Sequence, residues 1–515
     1  MSHVLAVDLG SSGLKVAVVD RGGRVVGAAG APLATRFLAG GGAEQDAHGW
    51  WHALGECSRQ ALAGAGVPGS AVEAVSVTAQ YMSIVAVDRR GLPLAPVVMW
   101  MDRRGAPHRR GLRDPHAAAV LLERHGLPPM PTDDQAHIAF LRAEHPAVHE
   151  AAAAFVEPAD HLTARLTGRI TATQTTAFPL MTVDNRTRGA TAHDPDLVAL
   201  AGVDPAKLPP LVPDDEIVGC VTPEAAEHLG ISTSAIVVPG TIDSITSAVG
   251  AGVLDPSACA VIVGTTTVIV THVDAKAADL DHGLISVPSP LPGRYFVMAE
   301  NGVGGKALDV FLRQVVYADD ALALGPFPGD AFERAEAAAA TVAPGSDGVL
   351  FLPWFVGSMA PGGDRAVRAG FVNLGLSTTR AAMTRAVYEG VALNAAWLLP
   401  HVAAFADATW TSVRFGGGGA RSDLWAQTLA DATGVDVDQL ADPGSTNARG
   451  AALLALVRLG HLALDDIPAL VPVRRRWGPD PERNTLYRRA LERFVDFHER
   501  SRPFYAALNG RTSHA

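Results

Sequence analysis

Two apolar, β-branched runs, Val4–Asp8 and Lys15–Asp20, flank the small residues Gly10-Ser11-Ser12-Gly13. That pattern predicts a β-hairpin. A third run, Arg24–Ala29, extends it into a meander. The same grammar returns at Cys259–His272, "CAVIVGTTTVIVTH": apolar strand, hydroxyl-rich turn, apolar strand. Each copy opens about half of the chain. Strand-like runs follow both, "AVEAVSVTAQ" and "SIVAVD" after the first, "VLFLPWF" and "SVRFGGGG" after the second. Apolar residues at i, i+3, i+4 spacing predict helices in residues 115–126, 150–168, 331–343 and 447–460, whose plainest role is core packing. Residues 482–508 read as an outer amphipathic helix with charged i, i+4 pairs, and the chain after Asn509 is expected to fray. The pattern therefore predicts a duplicated α/β architecture, domains 1–247 and 248–515, with a cleft between them and the seam inside residues 244–256.

Composition narrows the class. Of 515 residues, 48% are hydrophobic and 18% charged, as in a well-packed globular protein. The net charge of -11 argues against a general nucleic-acid binder. Cys57, Cys220 and Cys259 lie far apart, which excludes a CxxC zinc ribbon and a disulfide framework. No stretch has the ~18 consecutive apolar residues of a membrane span. No basic segment leading into a long apolar run opens the chain, so a cytoplasmic location is expected.

Candidate chemistry gathers at turns. In "VDLGSSGLK", a tight turn of glycine and hydroxyl residues leaves backbone N–H groups pointing one way, a concavity suited to phosphate oxygens. Ser11 and Ser12 add hydroxyls, Lys15 adds charge, and Asp8 is placed to hold a magnesium ion through water. A strand follows the turn and GxxxxGK[ST] is missing, so it is not a P-loop. Gly264–Thr267 supplies a second such turn, and two of them across a cleft suit one nucleotide. In residues 414–434 four glycines end a strand-like run and open a helix; one or two suffice for the turn, so four point to close approach of a flat ligand. Finally, Asp243 in "PGTIDSITS" stands among hydroxyls and small residues with no basic residue within ten positions. Its simplest role is a helix N-cap. At the seam of two halves it is also a candidate proton acceptor.

Taken together, "AVDLGSSGLK", "GGAEQDAHGWW", "VVMWMDRR", "PGTIDSITSAVGAG", "VIVGTTTV", "GVLFLPWFVGSMAP", "STTRAAMTRAVYEGVALN" and "RFGGGGARSDLWAQTLADATG" resemble, in order and spacing over roughly residues 4–460, the FGGY family of carbohydrate kinases. The resemblance implies two ribonuclease-H-like domains of the actin/hexokinase type closing over ATP and a sugar or polyol, and a homodimer, the assembly common in that family. Asp8 then matches the Mg-ATP aspartate. Ser11, Ser12, Gly13 and Lys15 match the first phosphate loop, and Gly264 and Thr265 the second. Gly304 and Gly305 fall near the γ-phosphate, Gly418 and Ser422 near the adenosine, and Asp243 on the catalytic base. The substrate side departs from type. Gln80-Tyr81-Met82 replaces the Gln-Met-His usual in xylulokinases and the Arg-Glu of glycerol kinases, and Ser244 replaces Asn or Gln. Trp100 and Asp102 are expected to line the pocket, with Arg103 as a possible ion-pair partner of Asp102. The acceptor implied is a ketopentose such as xylulose; another ketose, a tetritol or glycerol is the alternative, and an ATP-binding homologue without turnover the third.

Overall fold

The computed structural model describes residues 2–509 apart from 110, 111, 113, 323 and 324. The expectation for the chain beyond Asn509 lies outside the described residues.

The first hairpin forms where the pattern places it. Strands β1 (His3–Gly10) and β2 (Gly13–Asp20) pair antiparallel from His3↔Asp20 to Gly10↔Gly13. Strand β3 (Val25–Pro32) completes the meander on β2. A side chain at Gly13 would meet the Ala31 carbonyl oxygen at 2.9 Å, so the turn needs glycine there. Helix α1 (Ala47–Ala65), capped by Asp46, buries Trp50 and Leu54 against this sheet. Strand β4 (Val72–Ala79) then runs parallel to β1. The short strands β5 (Gly219–Cys220), β6 (Ile236–Val237) and β7 (Thr241–Ile242) complete the sheet, in the order β5-β6-β4-β1-β2-β3 with β7 also on β4.

The second half repeats this plan. Its sheet contains β8 (Ala260–Val263), β9 (Thr266–Val273), β10 (Ala278–Asp279), β11 (Leu284–Pro288), β12 (Tyr295–Val303), β13 (Ser412–Gly416), β14 (Asp436–Leu440) and β15 (Val473–Trp477). The order is β10-β11-β12-β9-β8-β13-β14-β15. In each half an antiparallel meander continues sideways into parallel strands, β1 with β4 and β8 with β13 and β14.

One expected helix is shorter than its pattern. In residues 150–168, Ala154–Val156 form a strand paired with Val85–Val87, and the helix begins only at Pro158. Proline biases its predecessor toward extended backbone and is welcome at the first helical position. The strand turns Ala154 and Val156 into the core of the first sheet and Phe155 into a second core, although the composition alone favours helix.

The halves are joined by two helices. Helix α2 (Asp243–Gly250) contains the expected 247/248 division within its span. Its Ile245, Ala248 and Val249 pack with Phe296 and Met298 of the second sheet. Helix α3 (Thr446–Arg458), from the second half, lays Ala448, Ala451, Ala452 and Ala455 on Val4, Ala6, Ala17 and Ala74 of the first sheet. The two helices meet backbone to backbone: a side chain at Gly250 would lie 1.9 Å from the Thr446 carbonyl oxygen, and one at Gly450 would lie 1.9 Å from that of Thr246.

Candidate active site

The parallel strands decide where the chemistry collects. β1, β4 and β7 run in one direction and end at one edge, and ligands of such sheets bind beyond the carboxyl ends of the strands. β1 ends in the Gly10–Gly13 turn, β4 in Gln80-Tyr81-Met82, and β7 in Asp243. In the second half β8, β13 and β14 end in Gly264–Thr265, Gly417–Gly419 and Asp442–Gly444.

Asp243 occupies the first turn of α2. It is not the cap: Ile242 stands at that position and no side chain caps the helix. The Ser244 hydroxyl donates to Asp243 Oδ1 at 3.2 Å. Burial, then the charge of Asp8, push the Asp243 carboxyl up to about 7, while Ser244 and the first backbone N–H groups pull it down. Asp8 pairs across β1/β4 with Thr78, which pairs across β4/β7 with Thr241. Asp243 follows two residues after Thr241, and the charge of Asp8 reaches its carboxyl.

Asp8 is buried, and burial raises its pKa against the pull of Lys15 and of Asn447, whose amide approaches Oδ1 at 3.5 Å. Lys15 Nζ donates to the Gly444 carbonyl at 3.2 Å. Both contacts cross between the halves. One carboxylate beside turns of glycine and hydroxyl residues fits magnesium, which keeps waters and needs only one or two carboxylates.

The first turn is fixed from outside: Gln45 Nε2 donates to the Ser11 carbonyl at 2.6 Å and Trp100 Nε1 to Ser11 Oγ at 3.3 Å. The second turn and the Gly304–Gly305 region form one unit. Gly304 N–H donates to the Thr265 carbonyl at 3.0 Å and Gly305 N–H to that of Gly264 at 2.8 Å. These N–H groups are therefore spent on shaping the loop. Of the four glycines at 416–419, three are required by packing. Side chains at 416, 417 and 419 would strike Ile262 or Val263 within 2.6–2.8 Å, whereas Gly418 faces open space. Ligand approach thus accounts for Gly418 and not for the whole run. Ser422 caps the helix Asp423–Thr433 through Trp425 N–H at 3.0 Å.

On the acceptor side, Gln80 is buried and neither of its amide atoms has a partner among the described residues. Tyr81 reaches across the halves to Met298 Sδ at 3.5 Å, and burial with the charges of Asp243 and Glu300 raises its phenol. Met82 holds φ at 60°, unusual for a residue with a side chain, and its N–H donates to Glu157 Oε1 at 3.1 Å. Glu157 lies near Asp134; burial and then the charge of Asp134 raise Glu157, while burial and the charge of Asp133 raise Asp134 to about 7. Trp100 is 42% exposed beside the first turn.

Asp102 does not fit the substrate role expected of it. It is fully buried, and its oxygens accept from Ala43 N–H at 2.9 Å and from the backbone and guanidinium of Arg104. The ion-pair partner is Arg104, not Arg103. Asp102 anchors the loop that presents Trp100. Sequence reading passed over Glu157, Glu300 and Asn447. The first two carry the same signal as Asp243: a lone acid in an apolar or small-residue run, "AAAFVEPA" and "FVMAENGVGG".

Residues 3–250 match the N-terminal domain, and residues 259–459 the C-terminal domain, of the FGGY family of carbohydrate kinases. A xylulose kinase of Staphylococcus epidermidis is 26% identical over 98% of each chain. A gluconokinase of Bacillus subtilis is 25% identical over 96% of this chain and 95% of its own. An autoinducer-2 kinase of Yersinia enterocolitica is 28% identical over 95% and 92%. Among solved structures, ligand-bound xylulose kinase from Lactobacillus acidophilus superposes with a TM-score of 0.85 at 21% identity, covering 100% of both chains. Xylulose kinase from Rhodospirillum rubrum gives 0.82 at 28% identity over 98% and 99%.

Proposed function

The chain belongs to the FGGY family of carbohydrate kinases, phosphotransferases with an alcohol group as acceptor, and on that premise we propose that it transfers the γ-phosphate of ATP to a hydroxyl of a small ketose such as D-xylulose. The observation that carries this reading is the placement of Asp243 in the first turn of α2, close enough to Asp8 for that charge to act on it, with burial and Asp8 pushing its carboxyl up to about 7. A base of that pKa is half ionised at neutral pH and gains driving force for taking a hydroxyl proton. The acceptor hydroxyl donates to Asp243, gives up its proton as its oxygen attacks the γ-phosphorus, and ADP leaves toward the second half. The Gly10–Gly13 and Gly264–Thr265 turns and Lys15 hold the phosphates, Gly418 lies against the adenosine, and Asp8 is the residue for Mg²⁺. Bound magnesium supplies charge neutralisation on the phosphates. Gln80, Tyr81, Met82 and Trp100 form the acceptor wall. A cytosolic location goes with this reading.

Asp243→Ala is expected to bind ATP as the parent does and to lose acceptor-dependent ADP formation by ~10²–10⁴-fold, the usual size of a general-base contribution. A coupled ADP assay beside an ATP titration measures both; turnover within tenfold of the parent refutes the assignment. Tyr81-Met82 also favours a second reading, in which the kinase acts on another ketose, a tetritol or glycerol. A panel of acceptors in the same assay separates the two.

A further inference from the structure

Glu300 lies outside every motif considered so far. It sits on β12 two residues after Met298, and residues two apart on a strand share a face. Val297 and Ala299 point the other way, into the core of the second half. Met298 packs on α2 beside Ile245 and meets the Tyr81 hydroxyl at 3.5 Å. Glu300 therefore leaves the strand on the cleft side, next to Tyr81, at the end of α2 that carries Asp243. Its main chain is fixed there, since its carbonyl accepts from Ala360 N–H at 3.0 Å. Its carboxylate is half-buried and has no hydrogen-bond or ion-pair partner among the described residues. Burial raises its pKa, and its charge and that of Asp243 both act on the Tyr81 phenol. The cation that acts on it is Arg365, on the exposed loop beside Ala360. Two carboxylates, those of Asp243 and Glu300, thus act on the Tyr81 phenol, with one outlying arginine.

We propose that Glu300 is an acceptor-binding residue that accepts a hydrogen bond from a sugar hydroxyl and restricts this kinase to neutral polyhydroxy acceptors, excluding aldonates. The inference rests on the kinase reading above and decides between the chemistries of the relatives, a neutral ketose against a sugar acid. A carboxylate without a protein donor is satisfied by a hydroxyl and left bare by anything that cannot donate. A second carboxylate, brought in by an aldonate, meets like charge in a partly desolvated site.

The test is a steady-state comparison of D-xylulose, D-ribulose, glycerol and D-gluconate with saturating Mg-ATP, in the parent and in Glu300→Gln. In the parent, gluconate is expected to fall about 100-fold or more below the best neutral acceptor in kcat/KM, from like-charge repulsion. In Glu300→Gln the KM of the neutral acceptor is expected to rise by roughly tenfold and the neutral-to-aldonate ratio to shrink by roughly tenfold. Gluconate turnover equal to that of the neutral sugars in the parent overturns the proposal without any variant. So does an unchanged ratio in Glu300→Gln when that variant still melts cooperatively and binds ATP. ATP binding with no turnover on any acceptor overturns the kinase reading, and this inference with it.

Discussion

At the scale of the residue, Asp243 is held in a condition that favours chemistry over stability. Its folded-state carboxyl titrates near 7, above the ordinary 3.8. The folded protein therefore binds more protons than the unfolded chain between those values, and this group makes stability fall as pH rises through that window. Asp243→Asn is expected to raise the thermal midpoint at pH 8 and to give no such gain below pH 4, while turnover is lost; calorimetry at both pH values checks it. In the active protein the base works only when ionised, so kcat/KM should climb with pH through an apparent pKa of about 7 and flatten above it. Glu157 offers a different contrast. Its Oε1 accepts from Met82 N–H, burial and the charge of Asp134 favour its neutral form, and glutamine keeps the acceptor without adding charge. Glu157→Gln should retain near-parent acceptor KM. Glu157→Ala should lose the Met82 turn, raising KM by about tenfold and costing ~1–3 kcal/mol for the unpaired donor. Equal KM values for the two variants would refute the positioning role.

At the scale of the element, the contact of α2 with α3 bears directly on the site, because α2 begins with Asp243 and α3 begins beside Asn447. Gly250 and Gly450 permit a backbone approach that no side chain tolerates. Gly450→Ala is expected to force the helices apart and cost about 1–3 kcal/mol, as overpacked cores do. It should also lower kcat, since separating the helices moves Asp243 away from Asp8. Chemical denaturation and a turnover assay test the two effects, and a fully stable variant would refute the contact. The hairpins were legible here because alternation and small turn residues are local signals. The strand Ala154–Val156 was not, because alanine favours helix and only burial against Val85–Val87 makes it a strand.

At the scale of the whole molecule, neither half is self-sufficient. The face of the first sheet that holds Val4, Ala6 and Ala74 is covered by α3, which the chain supplies only after residue 445. Ser76 Oγ donates to the Ala451 carbonyl at 2.9 Å across the same seam. A fragment of residues 1–250 is expected to bind a hydrophobic dye and to melt without a cooperative transition, and co-expression with residues 251–515 should restore one. A fragment that unfolds cooperatively by itself would refute this dependence.

The sequence by itself determined the duplicated strand plan, its glycine- and hydroxyl-rich turns and the singular status of Asp243, because each depends on neighbours within a few residues. It left Asp243 equally suited to capping a helix. The tertiary structure ruled out the cap by placing Ile242 there. It also took Asp102 out of the acceptor wall by pairing it with Arg104, showed that three of the four glycines serve packing, and brought Glu157 and Glu300 to the site from distant positions. Those outcomes depend on which side chains meet across the two sheets, and burial there sets both the charge a carboxyl carries and the partner left for it.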